Sequence, residues 1–149
     1  MRRLFLCLII TALATPLAAR AQQPQQAEPH AWLYGSWTGG LFPVPAGMSA
    51  QACLAQPVVI FTRDLVLRAT LIDRVYQQRN IETVRSEPGM TSFRFSPMQA
   101  DPGTIGARPD SGFGCGDPDT LHVTRRGENE IVFEGCVEFP EPLYRCPAR

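Results

Sequence analysis

The hydrophobic pattern is most regular between Asp119 and Cys136, where the alternating runs TLHVTR and EIVF flank the polar group Gly127-Glu128-Asn129. Apolar residues at every second position with a short polar interruption predict a β-hairpin. A three-residue loop pairs Arg126 with Glu130 and gives Asn129 the left-handed position that its short side chain tolerates. Val123 then faces Phe133 and Arg125 faces Ile131 on one side of the ribbon, with His122 opposite Glu134 on the other. A two-residue loop would set Val123 against Glu134 and mix the faces, so the longer loop is preferred.

Weaker versions of the same alternation run through the rest of the chain. From Ala31 to Val44 aromatics alternate with small residues, and Gly39-Gly40 marks a bulge or sharp bend. The stretch PAGMSAQACLAQP predicts one short helical turn, capped by Ser49 and stopped by Pro57. Val58 to Phe61 reads as a short apolar strand. Leu65, Leu67, Ala69 and Leu71 then alternate with Val66, Arg68 and Thr70, a strand whose leucine face is expected to be buried. Val75 to Val84 alternates less cleanly; its Tyr, Val, Ile and Thr favour a strand, with a helix across residues 72–84 as the competing reading. Pro88-Gly89 centres a turn, and Thr91 to Ser96 sets Phe93 and Phe95 on one face with Arg94 on the other. After the hairpin, FPEPLYRC brings Leu143 and Tyr144 back to the body.

The tally is seven or eight short, mostly antiparallel strands in one all-β domain, a small barrel or half-barrel. Its expected core is Trp37, Phe61, Leu67, Phe93, Phe95, Leu121, Val123, Ile131 and Phe133. Residues 97–118 break the pattern: they are thick with Gly, Pro and Asp and have no period. A segment that long is either a functional loop or an excursion from the body.

The N-terminus carries an address. Met1-Arg2-Arg3 is basic, Leu4 to Leu13 is apolar, and Ala19-Arg20-Ala21 is a small-x-small cleavage site, the order of a secretory signal peptide. The apolar run, roughly ten residues, is too short to span a bilayer. Residues 1–21 are therefore assigned as signal peptide, residues 22–30 (QQPQQAEPH) as a disordered Gln/Pro lead-in, and residues 31–149 as the domain. The expected product is periplasmic or secreted, without a membrane span, and monomeric.

Cleavage changes the charge. The whole chain balances 14 basic against 14 acidic residues; losing Arg2, Arg3 and Arg20 leaves 11 against 14. A mildly acidic product argues against nucleic acid as the main partner. Every basic residue is arginine, so Schiff-base and lysine-nucleophile chemistry are excluded. Arg68, Arg79, Arg85 and Arg94 are expected on a solvated outer face, where they would form a band open to an anionic partner.

Of the five cysteines, Cys7 leaves with the signal peptide. Cys53, Cys115, Cys136 and Cys146 then predict two disulfides. Cys136–Cys146 with Cys53–Cys115 is preferred, because the first bridge closes a short loop over Phe139-Pro140-Glu141-Pro142. Cys115–Cys136 with Cys53–Cys146 is close behind, since Cys115 lies just before Thr120, the strand partner of Cys136. No pair has zinc-ligand spacing, and no metal or cofactor is expected.

Catalytic chemistry is sparse, and no catalytic residue is assigned. A nucleophile–base constellation needs a histidine, and only His30, beside the lead-in, and His122 remain. Glu134 is placed to orient His122, with Ser92 or Ser96 as conceivable nucleophiles, but an outward His–Glu pair across strands is ordinarily a solvated contact. Asp117 and Asp119, with Asp110 nearby, lack the count and spacing of a calcium loop and read as a turn.

Gly35-Ser36-Trp37-Thr38-Gly39, at the start of an exported all-β domain, resembles the Gly-x-Trp opening of lipocalin-like small β-barrels. The resemblance implies that Trp37 plugs the closed end of an up-and-down barrel whose open end takes a ligand. The chain departs from that pattern in its long 97–118 segment and in having no helix after the last strand. The expected function is a non-catalytic exported binding protein holding a small apolar or amphiphilic ligand at the open end. Met98, Ile105 and Phe113 are its expected apolar contacts and Arg108 its polar one. The alternative is an envelope hydrolase inhibitor or protein-interaction module acting through residues 97–118.

Overall fold

Eight antiparallel strands follow one another around a closed barrel, each hydrogen-bonded to its sequence neighbour, and the last pairs back onto the first. They are β1 (Gly35–Gly39), β2 (Val58–Phe61), β3 (Leu65–Ala69), β4 (Gln77–Glu87), β5 (Met90–Phe95), β6 (Thr120–Arg125), β7 (Glu130–Phe133) and β8 (Leu143–Arg145). Closure is made by Trp37 against Arg145 and Gly39 against Leu143. Closure pairs each strand on both sides, although β4 runs past β3: Gln77 to Asn80 pair with β3, and Ile81 to Glu87 pair with β5 alone. This computed structural model describes residues 27–55, 57–71, 73, 75–98 and 112–148. The signal-peptide assignment lies outside the described residues.

The hairpin of β6 and β7 has the expected register, Val123 opposite Phe133 and Arg125 opposite Ile131. Its turn is built differently. Asn129 is not left-handed, since no described residue other than glycine has a positive φ. The amides of Arg126 and Gly127 converge instead on the Glu130 carbonyl, at 3.0 and 3.2 Å, and close the loop without such a residue. The short helix α1 (Ala50–Leu54) also forms, with the Ser49 hydroxyl accepting from the Ala52 amide at 3.1 Å. At the bend after β1, Gly40 has a φ of +77°, and a Cβ there would lie 2.6 Å from the Phe139 ring. Only glycine lets the chain turn that close to the aromatic core.

One strand reading is corrected and another is borne out. In β3 the buried side chains are Val66 and Arg68, and Leu65 and Leu67 are half-exposed. The leucine face is the outer one because the interior at this level is ionic: the Arg68 guanidinium bonds to Glu138. Residues 77–87 are strand, not helix. Their poor alternation has a local cause, a register shift between Ile81 and Thr83 that carries the chain across the ladder. His30, the last residue of the expected lead-in, is 2% exposed. Its Nε2 lies 3.2 Å from the Thr62 carbonyl oxygen and 3.1 Å from that of Arg63, and its ring meets Tyr34 and Phe93 edge-on.

Aromatic rings occupy the interior. Phe93 stacks on Phe95 with centroids 6.2 Å apart, Phe95 meets Phe113 at 5.7 Å, and Phe133 meets both Phe113 and Phe139 at 5.6 Å. Of the expected core all but Leu67 are buried, and Leu33, Phe113 and Phe139 join it. Offset and edge-to-face pairs of this kind add to the burial term.

Candidate functional site

The two ends of the barrel are built in opposite ways. At one end the turns are short, and a 3-10 helix (Ala31–Leu33) lies across the opening. The Trp37 indole N–H donates to the Leu33 carbonyl at 2.8 Å. The Arg145 guanidinium sits 4.2 Å over the Trp37 ring and donates to the Tyr34 and Trp32 carbonyls. Trp37 is therefore a buried plug held from both sides.

The opposite end gathers four connections, residues 40–57, 70–76, 96–119 and 134–142. It is the end expected to be open; among the described residues, protein fills its centre. Phe113 is 1% exposed and packs down onto Phe95 and Phe133. Two arginines fix the chain around it. Arg79, 1% exposed, donates to the Pro118 carbonyl at 2.7 Å and to the Asp119 carboxylate at 2.5 Å, with its guanidinium 5.1 Å from the Phe95 ring. Arg68, 5% exposed, pairs with Glu138 and lies 5.9 Å from the Phe113 ring. The expected outer band of arginines is thus split: Arg85 and Arg94 face solvent, while Arg68 and Arg79 turn inward. Planar guanidinium groups suit both tasks, pairing with carboxylates and stacking on rings.

The disulfides are Cys53–Cys146 and Cys115–Cys136, so the preferred pairing is overturned in favour of the second. Backbone placement decides the matter. The Cys146 amide bonds to the Ser36 carbonyl of β1, against which α1 and Cys53 pack. The Val137 amide bonds to the Gly114 carbonyl, which brings Cys136 beside Cys115. The second bridge thus ties the Phe113 plug to the end of β7.

Asp117 and Asp119 form the turn into β6. The Asp117 carboxylate accepts from the Asp119 amide at 2.9 Å and from the Thr120 hydroxyl at 2.7 Å. Those bonds, the Thr120 hydroxyl first, hold the Asp117 carboxyl below its ordinary value. The sign follows from a folded-state value lower than the unfolded one. The contribution is complete above the ordinary aspartate pKa and is lost as pH falls through the folded value. Thr120→Val is expected to move the Asp117 titration upward, read by carbon-detected NMR; an unmoved titration would refute the assignment.

Among the described residues, this end exposes a set of large apolar side chains. The exposed large hydrophobic residues among those described are Phe42, Leu71, Val75, Tyr76, Met98, Val137 and Tyr144. Each of the four connections supplies at least one, and Tyr144 follows the first residue of β8 on the outer surface. Leu71 is 63% exposed and Val137 78%. Two clefts flank Phe42. One, of about 440 Å³, runs along Pro43 to Ala46 towards Pro142 and Tyr144. The other, of about 520 Å³, lies between Leu41, Phe42, Leu71 and Val137, over Arg68 and Glu138.

Of the expected ligand contacts, Met98 is exposed at this end and Phe113 is buried in the core. Ile105 and Arg108 lie outside the described residues. Phe42, Leu71 and Val137 are not singled out by the sequence as contacts: Leu71 reads as the end of the leucine face, Phe42 as part of the aromatic stretch from Ala31 to Val44, and Val137 follows Cys136 with no period to mark it. His122 is exposed, with Nδ1 2.9 Å from the Ser92 hydroxyl oxygen, so the structure does bring Ser92 to it. That pair stands on the outer face of β5 and β6, away from both clefts.

No protein-family model matches the chain, and no curated protein does. Among solved structures, the crystal structure of Treponema pallidum Tp0751 (pallilysin) is similar at 14% identity, over 79% of this chain and 84% of that one, with a TM-score of 0.44. So remote a likeness carries no functional argument.

Proposed function

We propose that this is a non-catalytic exported binding protein that engages a partner protein of the cell envelope through the apolar crown at its Phe113 end. The observation that carries the proposal is the clustering of exposed large hydrophobic residues on the four connections of that end. Contiguous exposed apolar surface is costly to leave in water and marks interaction sites. The signal-peptide pattern at residues 1–21 and the two disulfides favour an oxidising compartment. Trp37 under Arg145, closed by a 3-10 helix, favours a lipocalin-like barrel. Carriage inside such a barrel is disfavoured here, because aromatic rings take up the interior. The connections held by Arg68, Arg79 and Cys115–Cys136 suit a docking surface better, since a braced loop loses little entropy on binding.

The Ser92–His122 pair does not support hydrolysis. It lies on an exposed strand surface whose backbone amides are committed to the sheet ladder, so the backbone there supplies no paired donors for an oxyanion.

A photo-crosslinking side chain at position 71 or 137, introduced in the exporting cell, is expected to give a discrete crosslinked species. The same group at position 85, on the exposed outer face of β4, should give none. Equal patterns at all three positions would overturn the reading.

A further inference from the structure

The larger cleft has a chemistry of its own. Its walls are apolar: Leu41, Phe42, Leu71 and Val137. Among the described residues, the charged groups that line it are Arg68, Glu138 and Asp73, on its floor. Arg68 is committed to Glu138 and stacks towards Phe113, which neutralises one carboxylate. The Asp73 carboxylate accepts from the Thr70 amide at 2.8 Å and from the Thr70 hydroxyl at 2.9 Å, both on Oδ2. Among the described residues that line the cleft, one guanidinium stands with two carboxylates. Its volume of about 520 Å³ falls in the range of small-molecule sites, which pair apolar walls with a few convergent polar groups.

We propose that this cleft is a binding site for a small cationic amphiphile, an alkyl or aryl amine or guanidine. Its apolar body lies against Phe42, Leu71 and Val137, and its cation sits beside Asp73 Oδ1. An anionic head of the same length meets two carboxylates and a guanidinium that is already engaged. A neutral head gains the apolar contact alone. The site shares Phe42, Leu71 and Val137 with the crown, but its occupation needs only the isolated protein.

Three probes with one tail and different heads test this: octylammonium, octanol and octanoate, each below its micelle concentration, titrated into the folded mature chain. Backbone amide NMR shifts should move at residues 41, 42, 71 and 137 with all three. At low salt octylammonium should bind about five- to tenfold more tightly than octanoate, the effect of one uncompensated charge near a protein surface. Asp73→Asn, or about 1 M salt on the unaltered protein, should erase that preference, whereas Leu71→Ser should weaken all three alike. The salt arm stands if Asp73→Asn disturbs the turn with Thr70. Equal affinity for octylammonium and octanoate, or shifts scattered away from the cleft, would overturn the site. Head-group preference without crosslinking from position 71 would leave this site standing and remove the partner reading; crosslinking without preference would do the reverse.

Discussion

Replacing Cys53 and Cys146 together by alanine is expected to cost about 4.5–5 kcal/mol, and replacing Cys115 and Cys136 about 3–3.5 kcal/mol, by the loop-closure relation. The difference comes from the chain that each bridge encloses, with sequence separations of 93 and 21. The longer loop releases more freedom to the unfolded chain when it is cut. Placement in the fold acts in the same direction. Cys146 directly follows β8, which has three residues, and Cys53 sits in α1 against β1. The bridge thus braces the seam where the last strand meets the first. Denaturant unfolding of the two double variants should rank them in this order, and hydrogen exchange in the first should rise earliest in β8. A larger loss from the Cys115–Cys136 pair would mean that holding the Phe113 plug, rather than closing the seam, dominates the stability.

The features that sequence revealed are those whose cause is local. The register of β6 and β7 follows from alternation across one short loop, and Ser49 caps α1 through residues three apart. Pro88-Gly89 turns β4 into β5 because Gly89 can take a φ of +82°. Where reading failed, the partner was remote. Arg68 looked like an outward residue because Glu138 lies 70 positions away, and Arg79 because Asp119 lies 40 away. With no partner in view, the leucine face of β3 was the better candidate for burial. The disulfide preference went to the shorter loop, although the barrel sets Cys146 beside β1. The candidate site was barely legible. Its residues are apolar positions spread over four separate connections, and only the up-and-down topology brings those connections to one end. Met98 was found because residues 97–118 stood out by composition. The same reasoning named Phe113, which the plug draws into the core.

Phe133→Ala is expected to cost about 3–5 kcal/mol, the range for a large aromatic removed from a packed core. Phe133 is 2% exposed and touches rings on three sides: Phe61 at 6.3 Å, Phe113 at 5.6 Å and Phe139 at 5.6 Å. Two of these neighbours are themselves fixed, Phe113 by the braced plug and Phe139 by its contact with Gly40. They have little freedom to collapse into the space, so the cost should fall in the upper half of the range. Leu67→Ala is the matched control, half-exposed on the outer face of β3, and should cost under about 1.5 kcal/mol, because much of its side chain is already in water. Urea unfolding of both variants measures the contrast. The void left by Phe133 is lined by phenylalanine rings, so it should stay dry and take up xenon or benzene with partial recovery of stability. A loss near zero at Phe133 would mean that the rings do not form one packed interior. The barrel would then have room for a ligand, and carriage inside it would displace binding at the crown.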